Sequence, residues 1–206
     1  MPASRTSLLA ALVALVAIVP SARCQIQSYT IGLDVNCPYG LTECWTIIRE
    51  GLENIDTVAA ISPRADPVRG TCEMRPRGPE LIDPAKLAES IVKMGVGTRL
   101  RGLEITADGT LERRGNEMLL HIDGLPTPLP LLPLREKIQM NNPRKRRETP
   151  SETELSAHQT LLAETLKPGA PTRLRITGPL AKPTPSSSAA LEVRTFQPCP
   201  APPGKS

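Results

Sequence analysis

The hydrophobic pattern of the first half of the chain switches between the period of a strand and the period of a helix. Ile31, Leu33 and Val35 lie two residues apart, which predicts a half-buried strand. After a loop, apolar residues recur at helical spacing, which predicts a helix with Thr42 as its N-cap. The apolar stripe of this helix consists of Cys44, Ile48, Leu52 and Ile55.

Further strands and a second helix follow. Residues 58–61 and 72–75 predict two short strands, and another strand begins at Leu100. Asp83 followed by Pro84 signals a helix start, because aspartate caps free N–H groups and proline lacks an N–H that would need a partner. The apolar stripe of this helix consists of Leu87, Ile91 and Met94. The order β-α-β-β-α-β predicts a ferredoxin-like domain.

The second half of the chain predicts a small β-barrel interrupted by one helix. Alternating apolar residues predict three strands over residues 103–134, the third of them interrupted by prolines. Ser151 and Glu154 have the spacing of a capping box, which predicts a helix start. Strands at 174–176 and 191–193 then complete the element order of an OB-like barrel. The apolar face of the helix is predicted to consist of Leu155, Leu162 and Leu166.

These patterns together predict an α+β protein, in which a ferredoxin-like βαββαβ domain precedes a small OB-like β-barrel. We assign residues 1–24 to a signal peptide and 29–103 to the ferredoxin-like domain. Residues 104–197 form the OB-like domain, with a loop and helix insertion at 135–170. The proline-bearing end, residues 198–206, is predicted to be a disordered tail.

The N-terminal segment has the parts of a secretory signal. Arg5 supplies a positive charge, residues 8–19 are apolar, and small residues precede the predicted cleavage between Cys24 and Gln25. The alternative is a lipoprotein with Cys24 lipidated; Arg23 argues against it, because a small residue is required before the lipidated cysteine. We expect a secreted or periplasmic protein, and no second apolar run is long enough to span a membrane in the mature chain.

Composition and charge give no reason to expect nucleic acid as a partner. Lys and Arg number 25, of which two lie in the predicted signal peptide, against 21 acidic residues, so the mature chain is close to neutral. Phe196 is the single aromatic residue after residue 100. Nucleic-acid sites on OB-like barrels stack bases on aromatic rings, so we predict no nucleic-acid partner.

Residues 29–103 resemble the heavy-metal-associated domain of copper chaperones and periplasmic mercury-binding proteins. The resemblance rests on Leu33-x-Val35, the loop after it, and Cys44 at a fixed distance from the apolar residues that follow. Those apolar residues are Ile48, Leu52, Ile55 and Val58. In that family the second cysteine of a Cys-x-x-Cys loop opens the helix, so the resemblance matches Cys44 to that cysteine. The first cysteine would fall at position 41, where this chain has Leu41.

Cys37 and Cys44 are the predicted metal ligands. A soft ion such as Cu(I) prefers two thiolates, and a helix N-terminus lowers the pKa of a thiol. The cofactor would be Cu(I) or another soft metal. Export leaves two other interpretations open, a Cys37–Cys44 disulfide or two buried thiols. We expect Cys72 to face the core, with a bridge to Cys37 as the alternative, and Cys199 to be free or intermolecular.

The remaining candidate groups predict no chemistry. His121 and His158 are isolated from other metal-ligating residues and are predicted to lie on the surface. The basic run at residues 144–147 is interpreted as a solvated loop, with a furin-type cleavage site as the alternative in a eukaryotic secretory pathway. No nucleophile with a base, phosphate loop or paired-carboxylate motif is found in the sequence, so we predict a protein that is not an enzyme.

Two functional hypotheses follow. The first is an exported, non-enzymatic protein that binds a soft metal through Cys44 with Cys37, with the OB-like domain as an interaction module. The alternative is a metal-free envelope or extracellular scaffold that binds an unknown protein partner, in which Leu41 marks a lost metal site.

Overall fold

The fold was obtained as a computed structural model, which describes residues 25–36, 41–56, 58–61, 70–135, 150–166, 172–181 and 189–199. Within these residues the protein is mixed α+β, with three helices and nine strands. The helices are α1 (Leu41–Glu53), α2 (Pro84–Lys93) and α3 (Glu152–Thr165). The strands are β1 (Ile26–Asp34), β2 (Val58–Ile61), β3 (Thr71–Pro76), β4 (Arg99–Arg114), β5 (Glu117–His121), β6 (Leu129–Pro133), β7 (Arg173–Ala181), β8 (Ala190–Val193) and β9 (Thr195–Pro198).

The first four strands form an antiparallel sheet in the order β2-β3-β1-β4. α1 connects β1 to β2, and α2 connects β3 to β4. Alternate residues of β1, among them Tyr29 and Ile31, are completely buried in one cluster with Ile48 of α1 and Ile91 of α2. Both helices therefore cover the same face of the sheet. We call these four strands and two helices the helix-covered sheet.

The predicted N-cap is confirmed for one helix of this sheet and wrong for the other. The Asp83 carboxylate accepts a hydrogen bond from the backbone N–H of Ala85 at 2.8 Å, which confirms Asp83 as the N-cap of α2. α1 begins at Leu41, so the prediction that Thr42 is its N-cap is wrong. Thr42 lies in the first helical turn, where its carbonyl accepts a hydrogen bond from the hydroxyl of Thr46.

Strands β4, β5, β6, β8 and β7 pair in this order, and β7 returns to β4 to close a five-stranded barrel. Every pairing in the barrel is antiparallel except that of β6 with β8. The α+β class and the closed barrel are confirmed, and the barrel fits the predicted OB-like element order. The proline-interrupted third strand of the prediction is present as β6, in which Leu131 lies opposite Leu191.

Strand β4 belongs to both the helix-covered sheet and the barrel. Its first part pairs with β1, its last part pairs with β5, and its middle pairs with β7 along the opposite edge. Ile105 consequently lies opposite Tyr29 on one edge and opposite Gly178 on the other. The predicted division between residues 103 and 104 therefore falls inside one continuous strand.

The barrel contains a close approach that the sequence pattern does not show. A Cβ atom built on Gly178 would lie 1.8 Å from the carbonyl oxygen of Glu192. The backbone N–H of Arg194 donates to the carbonyl oxygen of Thr177 at 3.0 Å next to this contact. After Arg194, strand β9 pairs antiparallel with β7. The sequence pattern did not predict β9.

Helix α3 packs on the barrel by a face that shares only the half-buried Leu162 with the predicted one. Its capping box is confirmed: the Glu154 backbone N–H donates to Ser151 Oγ, and the Glu154 carboxylate accepts from the Ser151 N–H. The helix contacts β6, β8 and β9. Leu155 and Leu166 are 46% and 66% exposed, so their assignment to the buried face is wrong. The residues buried from α3 are Ala157, His158 and Leu161.

Candidate functional site

Cys44, the centre of the sequence prediction, is the fourth residue of α1 and is completely buried. It lies in the same core cluster as Leu33 and Ile48. Its sulfur is bonded in a disulfide whose partner lies outside the described residues. Neither Cys72 nor Cys199 is that partner.

A soft-metal site requires thiolates that the ion can reach. The Cys44 sulfur is bonded to another sulfur and has no exposed surface, so in this oxidised form it does not fit a Cu(I) site. Among the described residues, no group of three or more His, Cys, Asp or Glu side chains is arranged to hold a metal ion. Cys37 lies outside the described residues, and its role as a metal ligand with Cys44 stays a prediction.

Cys72 is a buried thiol on β3, as the alternation of its strand predicts. It lies opposite Ile31 of β1. Burial raises the pKa of Cys72 to about 12, and the nearby carboxylates of Glu73 and Glu53 contribute to this rise. The thiol is therefore protonated at neutral pH and packs as a small apolar side chain. Cys199 is half-buried after β9, and its backbone N–H donates to the carbonyl oxygen of Arg173 at 3.1 Å.

The two histidines lie in different environments. His121 is exposed as predicted and is hydrogen-bonded to Glu112 at 2.5 Å; this bond, together with Arg114, lowers the pKa of Glu112. The prediction of a surface position for His158 is wrong, because α3 turns it toward the barrel. His158 Nε2 lies 3.2 Å from the carbonyl oxygen of Leu131, which can only accept, so Nε2 carries the proton.

A groove of about 900 Å³ lies on the face of the helix-covered sheet opposite the helices, and we call it the β4 groove. Its walls come from both halves of the chain, since β1 and β3 contribute to one side and the barrel contributes to the other. It is lined by residues 25–28, Glu73, residues 75–79, Thr106, Asp123, Gly124 and Arg175.

The floor of the β4 groove follows from the alternation of side chains along β4. Ile105 and Ala107 point into the core, and the residues between and beside them point to the opposite face. Thr106 lies opposite Ser28 of β1 and Thr177 of β7, and the two threonine hydroxyls are 3.0 Å apart. Strands β1, β4 and β7 therefore present one continuous polar surface to the groove.

Asp108 of β4 holds Arg175 in a fixed orientation in this groove. Arg175 Nε donates to Asp108 Oδ1 at 2.6 Å, and Arg175 Nη2 donates to Oδ2 at 2.8 Å. Gln27 Nε2 also donates to Oδ2, at 3.0 Å. Asp108 is 7% exposed, and its hydrogen bonds raise the pKa of Arg175 above the ordinary value. Both members of the pair are therefore oriented by several charge-assisted hydrogen bonds.

A second ion pair supports the same face of β4. Arg194 Nη2 lies 2.7 Å from Glu104 Oε2, and the Glu104 side chain is 2% exposed. Glu104 and Asp108 stand four residues apart on one strand and therefore share a face. Glu104 is thus paired with Arg194, and Asp108 is paired with Arg175 of β7.

The far wall of the groove, formed by the segment after β3, is fixed by Tyr29. The buried Tyr29 hydroxyl donates to the carbonyl oxygen of Glu80 at 3.0 Å and accepts from the N–H of Ile82 at 3.2 Å. Burial raises the pKa of Tyr29 to about 12. Gly124 has φ of +86°, and a Cβ atom there would lie 2.4 Å from Cβ of Pro79, so this wall packs closely on a turn of the barrel.

Two further arginines line the groove. Arg75 and Arg77 are exposed and form no ion pair or side-chain hydrogen bond with the part of the chain that the structure describes. With Arg175 they give the groove three guanidinium groups, which bind carboxylate and phosphate groups through planar, paired hydrogen bonds.

Sequence reasoning missed this groove because its residues come from five separated segments. One signal was present: polar residues alternate with buried apolar residues in the middle of β4, at Glu104, Thr106 and Asp108. Such a pattern is usual for a strand with one solvated face, so by itself it does not indicate a binding site.

Comparisons with known proteins give no relative from which a role could be transferred. No protein-family model, no curated protein and no solved structure matches this chain. Within the described residues, every helix is too short or too polar to cross a membrane.

Proposed function

We propose that this chain is an exported, non-enzymatic protein-binding module whose binding site is the β4 groove. The observation that carries the proposal is the position of the groove on the strand shared by the helix-covered sheet and the barrel. Arg175 is oriented there by Asp108 and Gln27, whereas Arg75 and Arg77 remain exposed without an ion-pair partner among the described residues. The volume of about 900 Å³ lies within the range of protein ligand sites.

The helix-covered sheet is proposed to be a ferredoxin-like domain related to heavy-metal-associated domains. The strand order β2-β3-β1-β4 and the positions of α1 and α2 support this relationship. In that interpretation the cysteine at the start of α1 serves structure instead of metal transfer. The disulfide at Cys44 supports this role, and it also supports export, because disulfides persist in oxidising compartments.

Cys37 is the proposed disulfide partner of Cys44. Cys72 and Cys199 are excluded as partners. Cys24 belongs to the predicted signal peptide, so Cys37 is the cysteine that remains. A proteolytic map of the mature chain without reductant should yield a Cys37–Cys44 linked peptide, and a linkage from Cys44 to any other cysteine would contradict the assignment.

Copper titration separates the binding module from the soft-metal carrier. The oxidised mature chain is titrated with Cu(I) beside a Cys37→Ser/Cys44→Ser double variant, with a chromogenic chelator as competitor, because Cys44→Ser alone would free the proposed partner thiol. The expected result is equal, weak binding by both proteins, because the two wild-type sulfurs are already bonded to each other. Tight, stoichiometric binding that the double variant loses would show a metal site and contradict the structural role of Cys44.

Site-specific photo-crosslinking tests the β4 groove itself. A photoreactive amino acid replaces Gly78, which lines the groove and has open space around it, or Val92, which is 60% exposed on α2 and does not line it. Each full chain is irradiated in an extract of the native compartment. We expect a discrete adduct at position 78 that excess unlabelled wild-type chain suppresses. Equal adducts at both positions, or none at position 78, would contradict a binding role for the groove.

A further inference from the structure

We infer that the β4 groove recognises a peptide segment with carboxylate side chains, which Arg175 binds through the edge of its guanidinium group that faces away from Asp108. This inference rests on the proposed function and specifies the chemistry of its partner.

The orientation of Arg175 leaves one recognition edge available. Nε and one hydrogen of Nη2 are used on Asp108. A guanidinium group has five N–H donors in a plane, so Nη1 and the second hydrogen of Nη2 remain. These donors make no hydrogen bond to any residue that the structure describes. The Arg175 side chain is 31% exposed, so a carboxylate can approach this edge from the groove.

Asp108 and Gln27 act as positioning residues for this interaction. The Asp108 side chain is 9% exposed and accepts hydrogen bonds from both Arg175 and Gln27. Because the guanidinium group is already fixed, a ligand that binds it loses little additional side-chain entropy. A fixed, planar pair of donors also selects carboxylate over a neutral amide.

The other charged groups of the groove favour a peptide over a polyanion. Arg75 and Arg77 are exposed on the wall formed after β3 and can bind further carboxylates. Glu73 and Asp123 also line the groove and would repel a chain with a charge at every unit, such as a nucleic acid. No aromatic side chain lies among the residues that line it, so bases would find no ring for stacking.

Neutral polar groups are available for a peptide backbone. Gln25 and Ser28 line the groove beside Arg175, and both side chains can donate and accept hydrogen bonds. A peptide with spaced acidic residues matches this arrangement, because its carboxylates meet the arginines and its amides meet the neutral groups.

Peptides of defined sequence test this inference by calorimetry on the full mature chain. The probes are Ac-Ala-Glu-Ala-Glu-Ala-NH2, its glutamine counterpart, and inorganic phosphate. We expect the glutamate peptide to bind at least ~10-fold more tightly than the glutamine peptide, as charge-assisted hydrogen bonds imply. Raising the salt concentration should weaken the binding of the glutamate peptide, because the arginines are partly exposed.

Three variants assign the binding to the groove. Arg175→Lys keeps the charge beside Asp108 and removes the planar fork, so we expect at least ~10-fold weaker binding of the glutamate peptide. Arg77→Gln is also expected to weaken it, whereas Arg99→Gln removes the same charge from an exposed position outside the groove and should leave the affinity within about twofold. Far-UV circular dichroism verifies that each variant is folded.

Equal affinity for the two peptides, or unchanged affinity in Arg175→Lys, would overturn the inference. Binding of phosphate without binding of the glutamate peptide would also overturn it, in favour of a small-anion site. Its failure can be distinguished from failure of the proposed function, because a suppressible crosslink at position 78 would persist if another kind of partner occupies the groove.

Discussion

The helix-covered sheet and the barrel bury their apolar side chains by different means. The sheet has two open faces and covers one of them with α1 and α2, which leaves the other face polar. The barrel instead closes through the pairing of β7 with β4, so its apolar residues point inward and need less cover from helices. A sheet covered on one side therefore retains a surface that a closed barrel does not have.

The difference matters at β4, because this strand takes part in both arrangements. Ile105 contributes to the core on both edges of β4. On the opposite face, Asp108 lies next to the open side of the sheet and is paired with Arg175 of the barrel. The β4 groove thus arises where a one-sided sheet continues into a closed barrel, and neither half alone contains all of its charged groups.

The largest expected effect tests whether the two regions unfold together. Ile105→Ala removes a completely buried side chain from the shared strand and should lower the free energy of unfolding by about 2–5 kcal/mol. Urea unfolding is followed by the fluorescence of Trp45, the single tryptophan of the chain, which lies on α1. Hydrogen exchange of the β5 and β8 amides reports on the barrel in the same samples.

We expect Ile105→Ala to lower two free energies by the same amount. One is the free energy of unfolding from Trp45 fluorescence, and the other is the free energy of exchange of the β5 and β8 amides. Ile91→Ala is the matched variant, because it removes an equally buried isoleucine from α2, which packs in the sheet alone. If Ile105→Ala left the exchange protection of the barrel unchanged, the two regions would be independent in stability and the shared strand would not couple them.

An intermediate effect is expected from Tyr29→Phe in the helix-covered sheet. The change removes the hydroxyl that joins Glu80 and Ile82, and the buried N–H of Ile82 loses its acceptor. The cost should be about 2 kcal/mol in chemical denaturation. Loss of this contact should also raise hydrogen exchange in the segment after β3, while exchange in the barrel strands should change less.

The same residue predicts a pH dependence. The pKa of Tyr29 is about 12 in the folded state against 10.0 for an ordinary tyrosine, so above pH 10 the unfolded state loses its proton first. Stability is therefore unaffected below pH 10 and decreases toward pH 12, by at most about 1.4 kcal/mol per pH unit. Burial also raises the pKa of Cys72, so the chains with and without the Tyr29→Phe change are compared in a Cys72→Ala background. Equal pH profiles would contradict the burial of the hydroxyl.

The smallest effect is expected at α3, outside the shared strand. Ser151→Ala removes the side-chain oxygen that caps the helix and should cost about 1 kcal/mol. Ser151→Thr retains a capping oxygen and is the matched control. Thermal unfolding should show the larger decrease for alanine, and a decrease as large for threonine would mean that the cap is not the cause.

Local signals in the sequence were sufficient for most elements. The period of apolar residues indicated the strands and helices, Asp83 marked the start of α2, and Ser151 with Glu154 marked the start of α3. These features depend on neighbours within a few positions, so one sequence can show them. The order of elements then limited the topology and gave the OB-like barrel.

The sequence predictions were wrong where contacts between distant segments determine the structure. Helix α3 has two overlapping apolar stripes, and contact with β6, β8 and β9 selected the one that contains Ala157 and Leu161. The same packing buried His158, which a sequence without neighbours in space presents as a surface residue. Strand β9 formed because β7 offered a free edge to residues 195–198, and a segment of four residues carries little periodicity of its own.

The sequence by itself determined the identity and order of the elements other than β9, since these follow from periodicity, capping and turn residues over short distances. Only the tertiary structure decided that β4 is common to both regions, that Cys44 is buried and bonded, and that Gln27, Asp108 and Arg175 meet in one groove. Asp108 is separated by 81 positions from Gln27 and by 67 positions from Arg175. Hydrogen bonds over such separations leave no local signal in the sequence, because their formation depends on how the strands pair.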